Sequence, residues 1–294
     1  MESFILFTDS CVDLPNKLAK ELDLTVLPLT VNVEGKEYKN YLDEREIKTK
    51  DFYDMLREHK KTSTSQVNST TFVDYIEPLL KEGKDVLVIS FSSALSGTFN
   101  GAVTAAEELK ELYKDRKVIV IDSKCASMGQ GLLVYYAAKL KQEGKSIEEV
   151  AEWVEKNKLR ISHLFTVGDL NHLKRGGRLS SSKALLGTIL RVKPILNVSL
   201  EGKLVQTDKT RGRKSSIDMM VERMVKTIEN PEEQIIFISH GDCIEDAKYA
   251  ESQIRNKLNV KDVLINYVGP VIGSHSGVGT LAMFYLGNDR NTEY

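Results

Sequence analysis

The 294-residue chain is poor in cysteine, nearly free of net charge and without a long apolar run, and each absence removes a class of function. Its three cysteines, Cys11, Cys125 and Cys243, are odd in number and far apart, so they make neither a CxxC pair nor a disulfide framework. They read as small buried thiols. Lys and Arg number 41 against 42 Asp and Glu, a formal net charge of -1 with the signs mixed, which leaves no electrostatic footprint for general nucleic-acid binding. The longest apolar runs, such as Ile235 to Ile238 and Leu132 to Val134, fall far short of the about 20 residues a membrane helix needs, so no integral membrane segment is expected. Met1 leads into the strand-like Phe4-Ile5-Leu6-Phe7 with no basic and then apolar leader, so the expected location is cytoplasmic. The motifs GxxxxGKS/T, GxGxxG after a strand, HExxH and GxSxG are also missing, which removes sequence support for P-loop, dinucleotide, zincin and nucleophile-elbow chemistry. An SxxK match at Ser180 to Lys183 lies in a run of serines and reads as a helix cap. Five histidines, His59, His163, His172, His240 and His275, lack metal-ligand spacing, so neither a metal nor a cofactor is expected.

What is present is an alternation of short β-branched runs with helical patterns. Phe4 to Thr8, Asp85 to Ser90, Lys117 to Asp122, Leu164 to Val167, Gln234 to Ser239 and Asp262 to Val268 read as strands of a largely parallel α/β architecture. The length exceeds a usual single core of about 100 to 200 residues, so two domains are expected, 1–160 and 161–294. Near 25–38, Thr25 to Val33 and Lys36 to Tyr38 flank Glu34-Gly35 as a hairpin. Ser146 and Glu149 form a capping box opening a helix on Ile147, Val150, Ala151 and Val154 that ends near Lys158. Beyond it come a helix ending at Gly176-Gly177, a serine-capped helix from about Ser182 to Arg191, a break at Lys193-Pro194, and a hairpin from Leu196 to Gln206 around Glu201-Gly202.

Four hydroxyl- or glycine-rich stretches are placed as loops at the carboxyl edge of the strands, where open α/β sheets bind ligands. They are Thr8-Asp9-Ser10, Thr62 to Gln66, Ser92 to Thr98, and Gly269 to Gly279 with His275 in its midst. The Ser92 to Thr98 stretch opens a helix, so it is either a hydroxyl-rich cap or an anion site made of free N–H groups and the hydroxyls of Ser96 and Thr98. Two basic stretches, Lys174 to Arg178 and Lys209 to Lys214, are either solvated faces or a surface for phosphate or an acidic partner. Convergence of Ser96, His275 and Asp9 would allow a serine hydrolase, an esterase or thioesterase. An anion at Ser96 to Thr98 alone would suit a small phosphoester-binding enzyme.

In this order the stretches resemble the DegV family of fatty-acid-binding proteins. The similarity runs through Thr8-Asp9-Ser10, Thr64-Ser65-Gln66, Ser92 to Thr98, Ile121 to Lys124, Leu173 to Leu179, Lys193-Pro194-Ile195, Lys209-Thr210-Arg211 and Gly269 to Gly279. The resemblance implies an N-terminal three-layer α/β/α domain with a parallel sheet and a C-terminal α/β domain with a mixed sheet. A long-chain fatty acid such as palmitate or oleate would lie between them. It implies that Thr64 and Ser96 hold the carboxyl, with His275 and the neighbouring Ser93, Gly97 and Thr98 in the same site. Arg178 and Arg211 would lie outside the tail pocket, in exposed turn-like segments, and serve a fatty acid kinase that phosphorylates the carboxyl. The chain would then be a carrier with no catalysis of its own. Three residues depart from the family pattern: Val67 and Val278 stand where proline is common, and Cys11 where a small or hydroxyl residue is common.

Overall fold

The computed structural model describes residues 4–179, 192–288 and 290, whose strands form three sheets. The first is parallel, with β2 (Leu24–Leu27), β1 (Ile5–Asp9), β6 (Val86–Ser90) and β7 (Val118–Asp122) side by side in that order. Successive side chains of a strand point to opposite faces, and both faces here are apolar. Phe7, Val86 and Val88 pack beneath α3 (Ser69–Lys81) and α4 (Thr98–Leu112). Leu6, Leu87 and Ile89 pack beneath α5 (Met128–Gln142) and α6 (Ile147–Asn157). This is the three-layer arrangement expected of the first domain. The capping box at Ser146 is formed, each of its two bonds satisfying an otherwise unpaired N–H at the start of α6.

The second sheet is mixed, in the order β10 (Leu204–Arg211), β9 (Val192–Val198), β8 (Ile161–Thr166), β13 (Leu281–Leu286), β11 (Ile235–His240), β12 (Asp262–Tyr267). β11 and β12 run parallel, and the remaining pairs are antiparallel. Leu164, Ile236, Ile238 and Met283 face α8 (Arg213–Thr227) and α9 (Ile244–Lys257). The alternate residues Phe165, Phe237, Ala282 and Phe284 join the cluster that contains α5. α5 therefore lies between the two sheets, which explains why Leu132, Leu133 and Val134 are all buried in succession.

Four local expectations change. Thr25 to Val33 is two strands: Leu24–Leu27 joins the parallel sheet, Pro28 interrupts, and β3 (Thr30–Val33) pairs with β4 (Lys36–Lys39). Thr62 to Ser65 is β5, the third strand of that small antiparallel sheet, because its hydroxyl-rich alternation suits a half-exposed edge. Lys193-Pro194 lies inside β9. Pro194 pairs with Lys209 of β10, while β8 meets β9 only at Phe165 opposite Leu196, so the missing proline N–H interrupts no bond toward β8. Gly269 to Gly279 contains α10 (Pro270–Ser276), started by proline at its first position and ended by Gly277 at φ 80. The expected helix from Ser182 to Arg191 and the SxxK stretch lie outside the described residues.

A buried arginine ties the last strand's end to the middle of the chain. Arg290 donates to the carbonyls of Ile161 (2.9 Å), Lys124 (2.6 Å) and Lys158 (2.8 Å), tying the β7–α5 loop to the start of β8. Replacing it by leucine strands these acceptors in an apolar setting. Arg290→Leu is expected to lower the unfolding free energy by about 2–4 kcal/mol, read as an earlier urea midpoint at unchanged slope.

Candidate functional site

Between the parallel and the mixed sheet lies a cavity that opens to solvent, placed between two sheets where small-molecule sites commonly form. Its wall is mostly apolar. The first domain contributes Leu29, Phe91 and Leu95, and the second contributes Phe165, Val198, Leu204, Val271, Ile272 and Phe284. Both strand edges and α10 are needed to enclose it, so neither domain holds this space alone.

One part of the wall is polar, and its hydrogen bonds define a direction. β5 brings Thr64 to α10, placing Thr64 Oγ1 2.8 Å from His275 Nε2. The other ring nitrogen, Nδ1, lies 2.9 Å from the carbonyl oxygen of Gly176, just past α7 (Leu170–Arg175). A carbonyl only accepts, so Nδ1 carries the hydrogen; in the neutral ring Nε2 is then an acceptor and the Thr64 hydroxyl donates to it. Burial, followed by the nearby Arg178 charge, holds the His275 pKa below its usual value, so the neutral ring is the resting form. Gly176 has no alternative here, because a Cβ would come within 2.6 Å of the His275 carbonyl oxygen.

Ser96 lies on the opposing loop and lines the cavity with Gly97. Its Oγ is 3.0 Å from Thr98 Oγ1 and accepts from the Thr98 N–H at 3.3 Å. At Gly97 a Cβ would come within 1.9 Å of Gln66 Oε1, so the end of that side chain would have to move aside. Thr98 is fully buried and supports Ser96 from behind, outside the cavity wall; it also accepts from the Val67 N–H at 3.3 Å, a donor that a proline at 67 would lack.

Other expected residues fall elsewhere. Ser93 accepts from Lys124 Nζ at 3.1 Å, and its N–H donates to Asp122, so it is engaged away from the cavity. Arg178, expected outside the pocket, lines it: exposed, it donates from Nε to the Leu95 carbonyl and from Nη1 to the Gly176 carbonyl, standing where the cavity opens. Arg211 ends β10, is exposed and does not line the cavity. It sits in a strand, where a turn was expected, because β10 continues past Gln206 through a register shift. Asp9 is buried and accepts from the Phe91 and Cys11 amides at 2.8 and 3.1 Å, so it braces two loops. Burial raises its pKa.

The three residues of a hydrolase are therefore not wired as one. His275 is engaged by Thr64 and Gly176, Ser96 by Thr98, and Asp9 by backbone amides. Cys11, one of the departures, is fully buried, and burial pushes its thiol well up, away from reactivity.

Sequence reasoning missed Ser127, His163 and Ser239 in the wall. Ser127 sits at φ 52 and donates to Asp13 Oδ2 at 2.6 Å, with Ser239 Oγ 3.0 Å away; burial pushes the Asp13 carboxyl up to about 8. His163 bridges the Ile161 carbonyl and the Ala126 amide, and burial keeps it neutral. Their partners are more than 30 positions distant except for Ile161, so no local pattern marked them. Among the described residues no group of three or more His, Cys, Asp or Glu could hold a metal, and no helix is long and apolar enough to cross a membrane.

Comparison with known proteins gives this geometry a family. The family model described as an uncharacterised protein of the DegV family matches residues 3–288. The chain belongs to the DegV family. A DegV domain-containing protein of Clostridium perfringens is 50% identical over 99% of both chains. A solved DegV family protein from Thermus thermophilus, described as binding fatty acid, is 31% identical, with a TM-score of 0.86 over 98% of this chain and 100% of its own. DegV of Bacillus subtilis, described as a fatty acid binding protein, is 30% identical with a TM-score of 0.84 over 98% and 100%. The two-domain α/β layout is thus that of DegV structures.

The tautomer argument has a direct check. In ligand-free protein the His275 ring is expected to titrate below 6.5 with its hydrogen on Nδ1, while His163 stays neutral at the same pH. Nitrogen-15 spectra of the histidine rings read both; a protonated His275 at neutral pH contradicts the assignment.

Proposed function

We propose that this DegV protein binds one long-chain fatty acid, such as palmitate or oleate, in the interdomain cavity and presents its carboxyl group to a fatty acid kinase. The observation carrying the reading is a mostly apolar cavity with the hydroxyls of Thr64 and Ser96 and the ring of His275 on its wall. A ligand with a long apolar body and one polar end matches that surface. Burying methylenes yields about 0.8 kcal/mol each, on the order of 12 kcal/mol gross for a C16 chain before ordering costs. A carboxylate drawn in behind the tail must meet donors, or its desolvation cancels much of that gain. Neutral hydroxyls meet this need without clamping the oxygen that would attack ATP. The fatty-acid-binding relatives of Thermus and Bacillus support the ligand class.

On this reading the chain is a cytoplasmic carrier divided at 160/161, with no cofactor, and the phosphoryl-transfer chemistry belongs to the kinase. Arg211, exposed on β10, serves the encounter. Arg178 has two tasks, because it borders the cavity while remaining exposed.

Protein purified without detergent is expected to carry about one fatty acid per chain, seen by comparing native and denaturing mass spectra. Ser96→Ala and Thr64→Val should each weaken fatty-acid binding by about 1–3 kcal/mol, the cost of leaving a buried carboxylate oxygen short of a donor. Unchanged affinity in both variants places the carboxyl elsewhere.

The two arginines should separate. With a kinase and ATP, Arg211→Glu is expected to cut acyl-phosphate formation while leaving lipid affinity within about a few fold, since rim charge acts on encounter. Arg178→Glu should reduce both. Equal loss of binding and phosphorylation in Arg211→Glu removes it from the docking role.

A further inference from the structure

We infer that carboxylate binding at this site takes up one proton from solvent through the Thr64–His275–Gly176 chain. The inference rests on the proposed ligand site and specifies the protonation that site requires.

The chain has three members and a fixed sense. Gly176 offers only a carbonyl, so His275 Nδ1 must carry a hydrogen at 2.9 Å; His275 Nε2 then accepts from Thr64 Oγ1 at 2.8 Å. The single hydroxyl hydrogen of Thr64 is spent inside the chain. What Thr64 presents outward is lone pairs, which repel a carboxylate oxygen. Turning the hydroxyl toward the ligand would leave the half-buried Nε2 facing lone pairs, which costs a hydrogen bond once the ligand has displaced solvent.

One added proton resolves both conflicts. On Nε2 it makes the ring a donor at both nitrogens: Nδ1–H to Gly176, Nε2–H to Thr64 Oγ1, and the Thr64 hydroxyl to the carboxylate. Placed on the ligand instead, it lets the acid O–H donate to Thr64 Oγ1 while Thr64 still donates to Nε2. Either way the complex holds one proton more than neutral protein plus free carboxylate. Ser96 stands apart from this coupling, because Thr98 Oγ1, 3.0 Å away, can donate to it and release the Ser96 hydrogen toward the cavity.

The groups facing the ring set the direction. Arg178, which shares the Gly176 carbonyl, and His172 of α7 both oppose a positive ring in the empty site. α2 (Thr49–Arg57) meets α10 through Phe52 and the phenol of Tyr53 at Gly273, and β5 meets it through the hydroxyls of Thr62 and Thr64. A bound carboxylate supplies the opposite charge that these surroundings lack. Because the complex binds the extra proton, affinity falls as pH rises above the free-protein value of His275, by up to about tenfold per pH unit, until the complex itself deprotonates.

The test is calorimetric titration of delipidated protein with dodecanoate at neutral pH in phosphate and in Tris, whose different ionisation heats count protons. Wild type is expected to take up about one proton per ligand bound. His275→Gln, whose amide can donate to Thr64 without titrating, should bind with uptake near zero and a flattened pH dependence. Dodecanoate bound by wild type with no proton uptake overturns the inference, as does full uptake persisting in both His275→Gln and Thr64→Val. No binding of dodecanoate at any pH overturns the fatty-acid reading beneath it.

Discussion

The burial of α5 between two sheets is the constraint on which the rest depends. A helix with Leu132, Leu133 and Val134 all inside cannot be satisfied by the parallel sheet alone, and the face of the mixed sheet carrying Phe165, Phe237 and Phe284 supplies the other half. Docking the second sheet on this helix sets the separation of the two carboxyl edges. The space left where α5 ends and the loops begin is the cavity, so site and domain packing are one structural fact. Arg290 reinforces the same junction by donating to four carbonyls at once.

Within that frame the polar cluster is built from contacts that only small residues permit. Gly176 lets its loop lie against the His275 backbone, and Gly97 lets Gln66 pass the start of α4. The hydroxyls are placed by secondary structure: β5 presents Thr64, and α10 ends just after His275. The Thr64–His275–Gly176 run is a closed hydrogen-bond circuit within the protein, while Ser276 Oγ on the same wall is without a partner.

That circuit also differs from the wiring of a serine hydrolase. Serine, histidine and aspartate occur on three loops, and their chemistry alone would allow an activated nucleophile. Activation requires the imidazole to accept from the serine while an acid orients its other nitrogen. Here the imidazole accepts from a threonine and is oriented by a peptide carbonyl, while Asp9 is held among backbone amides. A carbonyl partner cannot compensate an imidazolium as a carboxylate does, so in the empty site His275 is held as a neutral hydrogen-bonding group.

The strands, the capping box at Ser146 and the ordered motifs that mark the family were legible because each is a local pattern: alternation, helical spacing, or a few residues at a strand end. The polar stretches carrying Thr64, Ser96, Gly97 and His275, which line the cavity, were legible for the same reason, while their assignment to one site came from the family resemblance. Local pattern failed where neighbours outside the window decided. Thr62 to Ser65 became a strand because β3 offered an edge, and Pro194 stayed inside a strand because β8 pairs with β9 at Leu196 and not at Pro194. Ser93 and Thr98 left the cavity wall because Lys124 and Val67 claimed their hydroxyls, and Arg178 entered it because the carbonyl of Leu95 lies across the domain interface. By itself the sequence determined which segments fold as strands and helices and which carry the polar groups, since those follow from the chain's own periodicity and side-chain chemistry. Only the tertiary structure decided which hydroxyls face the cavity and which nitrogen of His275 holds its hydrogen, because both depend on partners brought from up to 211 positions away.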